Sequence, residues 1–432
     1  MSKFEISTAW LPRKGNNEAD ATLCSLLIKL GDRIVTEFID DREIVSQQLE
    51  IPTYYLAEWI AENWWSLLWE PRKNEDDDDN DNPAFLSRHS FLAAQHGFAL
   101  PKILMVPFGR AVQISAIPRE AQFADVRFRN GGKETLKQEE VEAVLRKFIT
   151  SVISRLDEAN VHDTYLHDAW TLISETDPDE SQFCQFAGAL GLSPYDIEES
   201  TAALIERLLE SLGERLLMDL CLVSPAQTFP MVAALAEQAV ALTRSASVST
   251  LSPLKSAILP KDNMTLPAYR RGVRAAEFVR QKFGIKDTDP RGATRIFETL
   301  MIDTGFRGEA VRNDDEISIT GAVVREDLEM KVALLQATEV KRRFTGARAV
   351  FSAWSAENPN DSRLLTSAVT RDQQANRAFA AELTAPRALI RSKATKGQLG
   401  RSAIADLGDD LQIGADVIVK QALNNGIRVS AS

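Results

Sequence analysis

Near residue 136 strand-like alternation gives way to a long stretch of helical spacing, and that change limits the fold of this chain more than any other feature. Before it, residues 3–10, 21–28, 33–39, 103–107 and 124–129 alternate apolar with polar side chains. Such alternation buries one face of a strand and leaves the other in water. After it, residues 138–156, 201–212 and 231–242 place apolar side chains three and four apart, the spacing of amphipathic helices. One helical stripe, 52–69, interrupts the strand-like part, with Leu56, Trp59, Ile60, Trp64, Leu67 and Leu68 on a common face. Strands and helices in separate runs predict an α+β fold. The indoles of Trp59, Trp64, Trp65 and Trp69 are expected to pack a strand layer rather than to stack on a ligand or base.

Three regions follow. Residues 1–135 read as a small α+β domain, assigned here to sensing. Residues 136–250 read as a helical domain. Within it, 183–196 has the outline of a helix-turn-helix, with a break at Gly191 and Ser193 placed to cap the next helix. That next helix opens with Asp196, Glu198 and Glu199, charges that repel phosphates, so packing is expected there rather than DNA contact. Residues 244–253, rich in Ser and Thr, read as a linker. The third region, 260–432, reads as helices at 267–285 and 290–304, strands at 316–320 and 331–335, then further helices, the last ending at a C-cap at Asn425-Gly426.

Composition narrows the function classes. The net charge of −12 is uneven: from residue 253 onward 28 Lys/Arg face 22 Asp/Glu, against 22 and 40 before it. The mildly basic C-terminal part permits nucleic-acid binding without supporting it, because counterion release needs cations clustered on one face. No apolar run reaches the roughly 20 residues of a membrane span. Cys24, Cys184 and Cys221 are widely spaced and odd in number, which predicts reduced thiols and a cytoplasmic protein. The four histidines, His89, His96, His162 and His167, all precede residue 250, and the five-residue spacing of His162 and His167 is wrong for one helical face. The acidic run 74–82 lacks the glycine and the distal glutamate of a calcium loop and reads as a solvated segment. No cofactor is expected.

Two stretches carry a family resemblance. Residues 340–352 read V-K-R-R-F-T-G-A-R-A-V-F-S, and residues 372–386 read D-Q-Q-A-N-R-A-F-A-A-E-L-T-A-P. Together they resemble the ImmA/IrrE family of bacterial metallopeptidases, in which R-R-F-T-x-A leads into H-E-x-x-H and a second helix reads roughly E-x-x-A-N-x-F-A-x-E-L-x-x-P. The resemblance covers the third region and implies a zincin-like domain there. In H-E-x-x-H two histidines one turn apart bind Zn²⁺, and the glutamate acts as general base on the metal-bound water.

Aligned on Phe344-Thr345, this chain has Arg348 at the first histidine, Ala349 at the glutamate and Ser352 at the second histidine. A guanidinium stays protonated and repels a divalent cation. Asp372 corresponds to the third, acidic ligand, and one carboxylate does not make a zinc site. These four are the vestigial active-site positions, with no catalytic or metal-binding residue expected. One expectation is an ion pair between Arg348 and Asp372 in place of the metal. The other is a pocket closed by Val350, Phe351 and Trp354 with Arg348 in solvent.

The family's active members cleave a repressor or antitoxin to switch on stress, mobile-element or defence genes. The resemblance therefore implies an inactive peptidase-like regulator or scaffold that binds a partner protein such as a toxin, repressor or defence subunit, in phage defence or stress response. The alternatives are a DNA-binding transcription regulator using the basic third region, and a metallopeptidase with rearranged ligands.

Overall fold

A computed structural model describes residues 3–430 apart from 13–14, 16, 74–81, 122–124, 256–258 and 306–317. The acidic run, up to residue 81, thus lies outside the described residues. Asn82, which follows it, caps the helix Pro83–His89 by accepting from Phe85 N at 3.0 Å. The fold mixes helices with several small, mostly antiparallel sheets. Contacts gather the chain into two compact units, Met1–Ile205 and Glu206–Ser432. That boundary falls inside the helical stretch read from the sequence as one middle region.

The reason lies in where the helices bury their stripes. In the first unit, strand Leu23–Leu30 pairs with Phe4–Trp10, Arg33–Ile34 and Leu49–Pro52, and its strict in-out alternation matches the period-two reading. A second sheet joins Lys102–Pro107, Ala111–Ile117 and Gly132–Lys137. The 21-residue helix Gln138–Glu158 places Val141, Leu145, Phe148 and Val152 in the same apolar core as Leu26, Ile28, Met105 and Ile114, so it belongs to the strand-rich unit. The stripe at 52–69 is two helices, Tyr54–Glu62 and Trp64–Trp69, broken at Asn63. Trp59, Trp64 and Trp65 are buried in this core, Trp59 Nε1 donating to Ser87 O at 2.8 Å.

A buried polar pin completes the first unit. Glu70, 5% exposed, accepts from Arg88 Nε at 2.8 Å and Arg88 Nη2 at 2.5 Å, and His89 Nε2 lies 3.0 Å from the same carboxylate. Burial alone raises this carboxyl, but Arg88 and His89 outweigh it and hold Glu70 down to about 2. The helix-turn-helix outline changes form: helix Pro178–Ala189 ends before Gly191, and the next helix starts only at Glu199, so Ser193 is not its cap.

The second unit is built on one antiparallel sheet in the order Val248–Thr250, Glu329–Leu334, Ile319–Glu326, Asn360–Thr366. The stretch read as a linker therefore supplies an edge strand, because its alternating Val248, Ser249 and Thr250 pair with Lys331, Met330 and Glu329. Helices Tyr269–Lys282, Glu339–Trp354 and Arg371–Thr384 share one core that includes Val279, Val350, Phe351, Phe379 and Leu383. Helices Tyr269–Lys282 and Arg371–Thr384 approach at Gly272, where a Cβ would fall 1.9 Å from Ala375 O; only a hydrogen fits there. The C-cap read at the end of the chain is present, with Asn425 capping Ala415–Asn424 and Gly426 following at positive φ.

Candidate functional site

The site is made by the two helices that carry the family-like motifs. The first, Glu339–Trp354, starts at Thr338, whose side chain accepts from Lys341 N, and the second, Arg371–Thr384, starts at Thr370, which accepts from Gln373 N. These caps satisfy first-turn N–H groups that have no intrahelical partner. Residues Thr345 to Ala353 are buried throughout, so this helix lies inside the unit rather than on its surface.

Arg348 is 3% exposed, which removes the alternative in which it reaches solvent. Its Nε donates to Asn376 Oδ1 at 2.6 Å, Nη1 to Thr320 Oγ1 at 3.1 Å, and Nη2 to Thr366 O at 2.5 Å and Gln373 Oε1 at 2.8 Å. Asn376 Nδ2 then donates to Ser352 Oγ at 2.8 Å, and Gln373 Nε2 to Leu364 O at 3.0 Å. One guanidinium thereby fastens both motif helices to two neighbouring strands. Amides of Gln373 and Asn376 stand where the sequence reading placed the Asp372 carboxylate. Asp372 itself is half-exposed, 3.6 Å from Arg271 Nη1 and 3.8 Å from Arg363 Nη1.

The other motif residues are also structural. Arg342 donates to Thr304 O, Gln336 O and Ala337 O, tying down the chain that enters the helix. Arg343 lies over the Phe297 ring at 5.4 Å and donates to Thr294 Oγ1. Phe344 packs against both the core of these helices and the separate core of residues 385–430. Edge strand Asn360–Thr366 is held by Asp219, which accepts from Arg363 Nε at 2.8 Å, Arg363 Nη2 at 3.0 Å and Leu364 N at 3.0 Å. Sequence reading missed Asp219, Thr320, Thr366 and Gln373; their only sequence signal is polarity within buried-strand or helix patterns.

No protein-family model, curated protein or solved structure matches this chain. The geometry therefore carries the argument. A guanidinium, a methyl group and a hydroxyl do not form a donor set for a divalent metal. Among the described residues no group of three His, Cys, Asp or Glu is gathered as a metal ion needs. All four histidines lie in the first unit. His162 and His167 do not share a helical face, since the helix begins at Tyr165 and His162 precedes it, yet both approach Asp157 Oδ1, at 3.2 and 3.3 Å. The three cysteines are buried and none is in a disulfide, and burial pushes the Cys24 and Cys184 thiols up to about 12, so neither is a nucleophile near neutral pH. Among the described residues, no single helix is long and apolar enough to cross a membrane.

Proposed function

We propose that this chain is a catalytically inactive, peptidase-like regulator or scaffold that binds a partner protein, in bacterial phage defence or stress response. The carrying observation is Arg348, which stands where the resembling family has its first zinc ligand and is built into the hydrogen bonds that join the two motif helices. A site rebuilt this way keeps the fold's surface while giving up the metal, and recognition does not depend on the catalytic centre.

Protein rather than DNA is favoured by how helix Tyr269–Lys282 uses its cations. Arg271 donates to Pro260 O and faces Asp372, and Arg280 is 1% exposed and donates to Leu383 O and Lys286 O. Arg270, Arg274 and, at the far end of the helix, Lys282 are exposed, few for a phosphate-binding face.

The test mixes purified chain with the products of the adjacent genes in its native genome. A stable complex in which the partner stays intact for hours supports the reading. Chelator-sensitive cleavage of the partner, or failure of every such product to bind, overturns it.

A further inference from the structure

Residues 385–430 form a small bundle with an apolar core of its own, including Leu389, Ile404, Leu407 and Ile418. Its helices are Arg387–Lys393, Arg401–Leu411 and Ala415–Asn424. A turn at 394–400 joins the first two, and its strand Gln398–Leu399 pairs in parallel with Arg428–Val429. Leu399 and Val429 pack into the bundle core, so their neighbours Gln398 and Arg428 face outward.

This turn gathers cations. Arg391 and Lys393 lie in the last turn of the first helix, Lys396 on the connecting turn at positive φ, and Arg401 at the start of the second helix, while Arg428 stands beside Gln398. All five are exposed, and among the described residues none of their side chains has a hydrogen bond or an ion pair. Elsewhere in the same unit guanidinium groups are spent on the fold: Arg280, Arg342, Arg348 and Arg363 all donate to protein acceptors. Nor does the sequence neutralise the five, since no Asp or Glu occurs between Arg387 and Ala405 or after Asp416.

We propose that this basic end of the bundle is the surface on which an acidic segment of the partner protein docks, an inference that rests on the protein-binding reading above. Like charges held around one turn repel each other, and an acidic segment relieves that repulsion while meeting a complementary potential. Leu423, 57% exposed in the last turn of Ala415–Asn424 and five residues before Arg428, adds an apolar anchor. A nucleic-acid duplex fits this surface less well. The two helices that follow the turn expose Asp406, Asp409, Asp410 and Asp416, so a phosphate track continuing past the turn meets carboxylates, whereas a short acidic segment ends where the cations end.

Fluorescence anisotropy with the full chain at about 0.15 M salt tests it. The probe is a short labelled peptide of mixed Asp and Glu around two leucines, compared with its Asn and Gln counterpart and with a labelled duplex. The acidic peptide should bind with micromolar Kd and the neutral one should not. Lys396→Glu combined with Arg428→Glu should weaken binding roughly tenfold or more. Should that variant not melt like the parent, Arg391→Gln combined with Lys393→Gln repeats the test on the helix. No binding of the acidic peptide, equal binding by parent and variant, or a duplex held more tightly than the peptide overturns the proposal. The two readings fail separately. A neighbouring gene product that binds parent and variant alike would overturn this surface and leave the protein-binding reading standing, while acidic-peptide binding with no such product bound would do the reverse.

Discussion

Arg348 and Asn376 are joined by a hydrogen bond of 2.6 Å from guanidinium Nε to amide Oδ1, across the two helices that in the resembling family are joined by zinc. The same Asn376 donates to Ser352 Oγ, so one amide links Arg348 and Ser352, the two residues that the resemblance sets against the histidines of H-E-x-x-H. A directional network has the geometry of a clamp and needs no deprotonated ligand.

Removing the guanidinium should therefore loosen the unit as strongly as losing a buried ion does. Arg348→Ala leaves Thr366 O, Gln373 Oε1 and Asn376 Oδ1 without a donor they now use, and hydrogen bonds to a charged group contribute about 1.5–3 kcal/mol each. Urea unfolding should show a loss of about 3–5 kcal/mol, less than the three bonds summed because the buried guanidinium's own desolvation cost goes with it. Arg348→Lys should recover little, because one ammonium cannot match a planar fork. A variant as stable as the parent would mean the network is incidental.

The Glu70 pin predicts acid sensitivity of the first unit. A carboxyl held down to about 2 by Arg88 and His89, against an ordinary 4.5, adds stability that is present above pH 4.5 and is lost as pH falls toward 2. The sum is on the order of 3 kcal/mol for this buried group. Glu70→Gln should be less stable than the parent at pH 7, with the gap shrinking as pH drops from about 5 to 3. Parallel stability curves across that range would refute the assignment.

Gly272 sets the spacing of two helices. A methyl group there meets the Ala375 carbonyl and Phe379 N, both backbone, so relief requires moving a helix. Gly272→Ala should destabilise by about 2 kcal/mol or more despite alanine's better helix propensity. A stabilised variant in thermal melts would show that the helices sit farther apart.

How much of this was legible beforehand depended on sequence distance. Local patterns were readable: the alternation in Leu23–Leu30, the stripe in Gln138–Glu158 and the indoles that turned out to be core. The edge strand Val248–Thr250 reads as a linker because three residues of Val, Ser and Thr have no visible partner until Glu329–Leu334 is placed beside them. The alignment sets Arg348 against Asp372 because both fall at ligand positions, whereas the guanidinium's bonds to Thr320, Thr366, Gln373 and Asn376 reach two strands and the first two turns of helix Arg371–Thr384. Nothing local to Glu382 announces that Gln421, 39 residues on, closes over it.

For nucleic acid, the expected result is weak, salt-labile binding only. Arg270→Ala with Arg274→Ala should leave protein stability unchanged and weaken what little duplex binding exists at low salt. Sub-micromolar, sequence-selective binding at physiological salt would favour the transcription-regulator reading instead.

Metal content of the purified protein bears most directly on the central claim. With Arg348, Ala349 and Ser352 where the resembling family has its ligands and base, elemental analysis after expression in zinc-supplemented medium should find far less than one zinc per chain, and a chelator should not move the thermal midpoint. One zinc per chain that disappears in Asp372→Ala, with a midpoint lowered by chelator, would contradict the account.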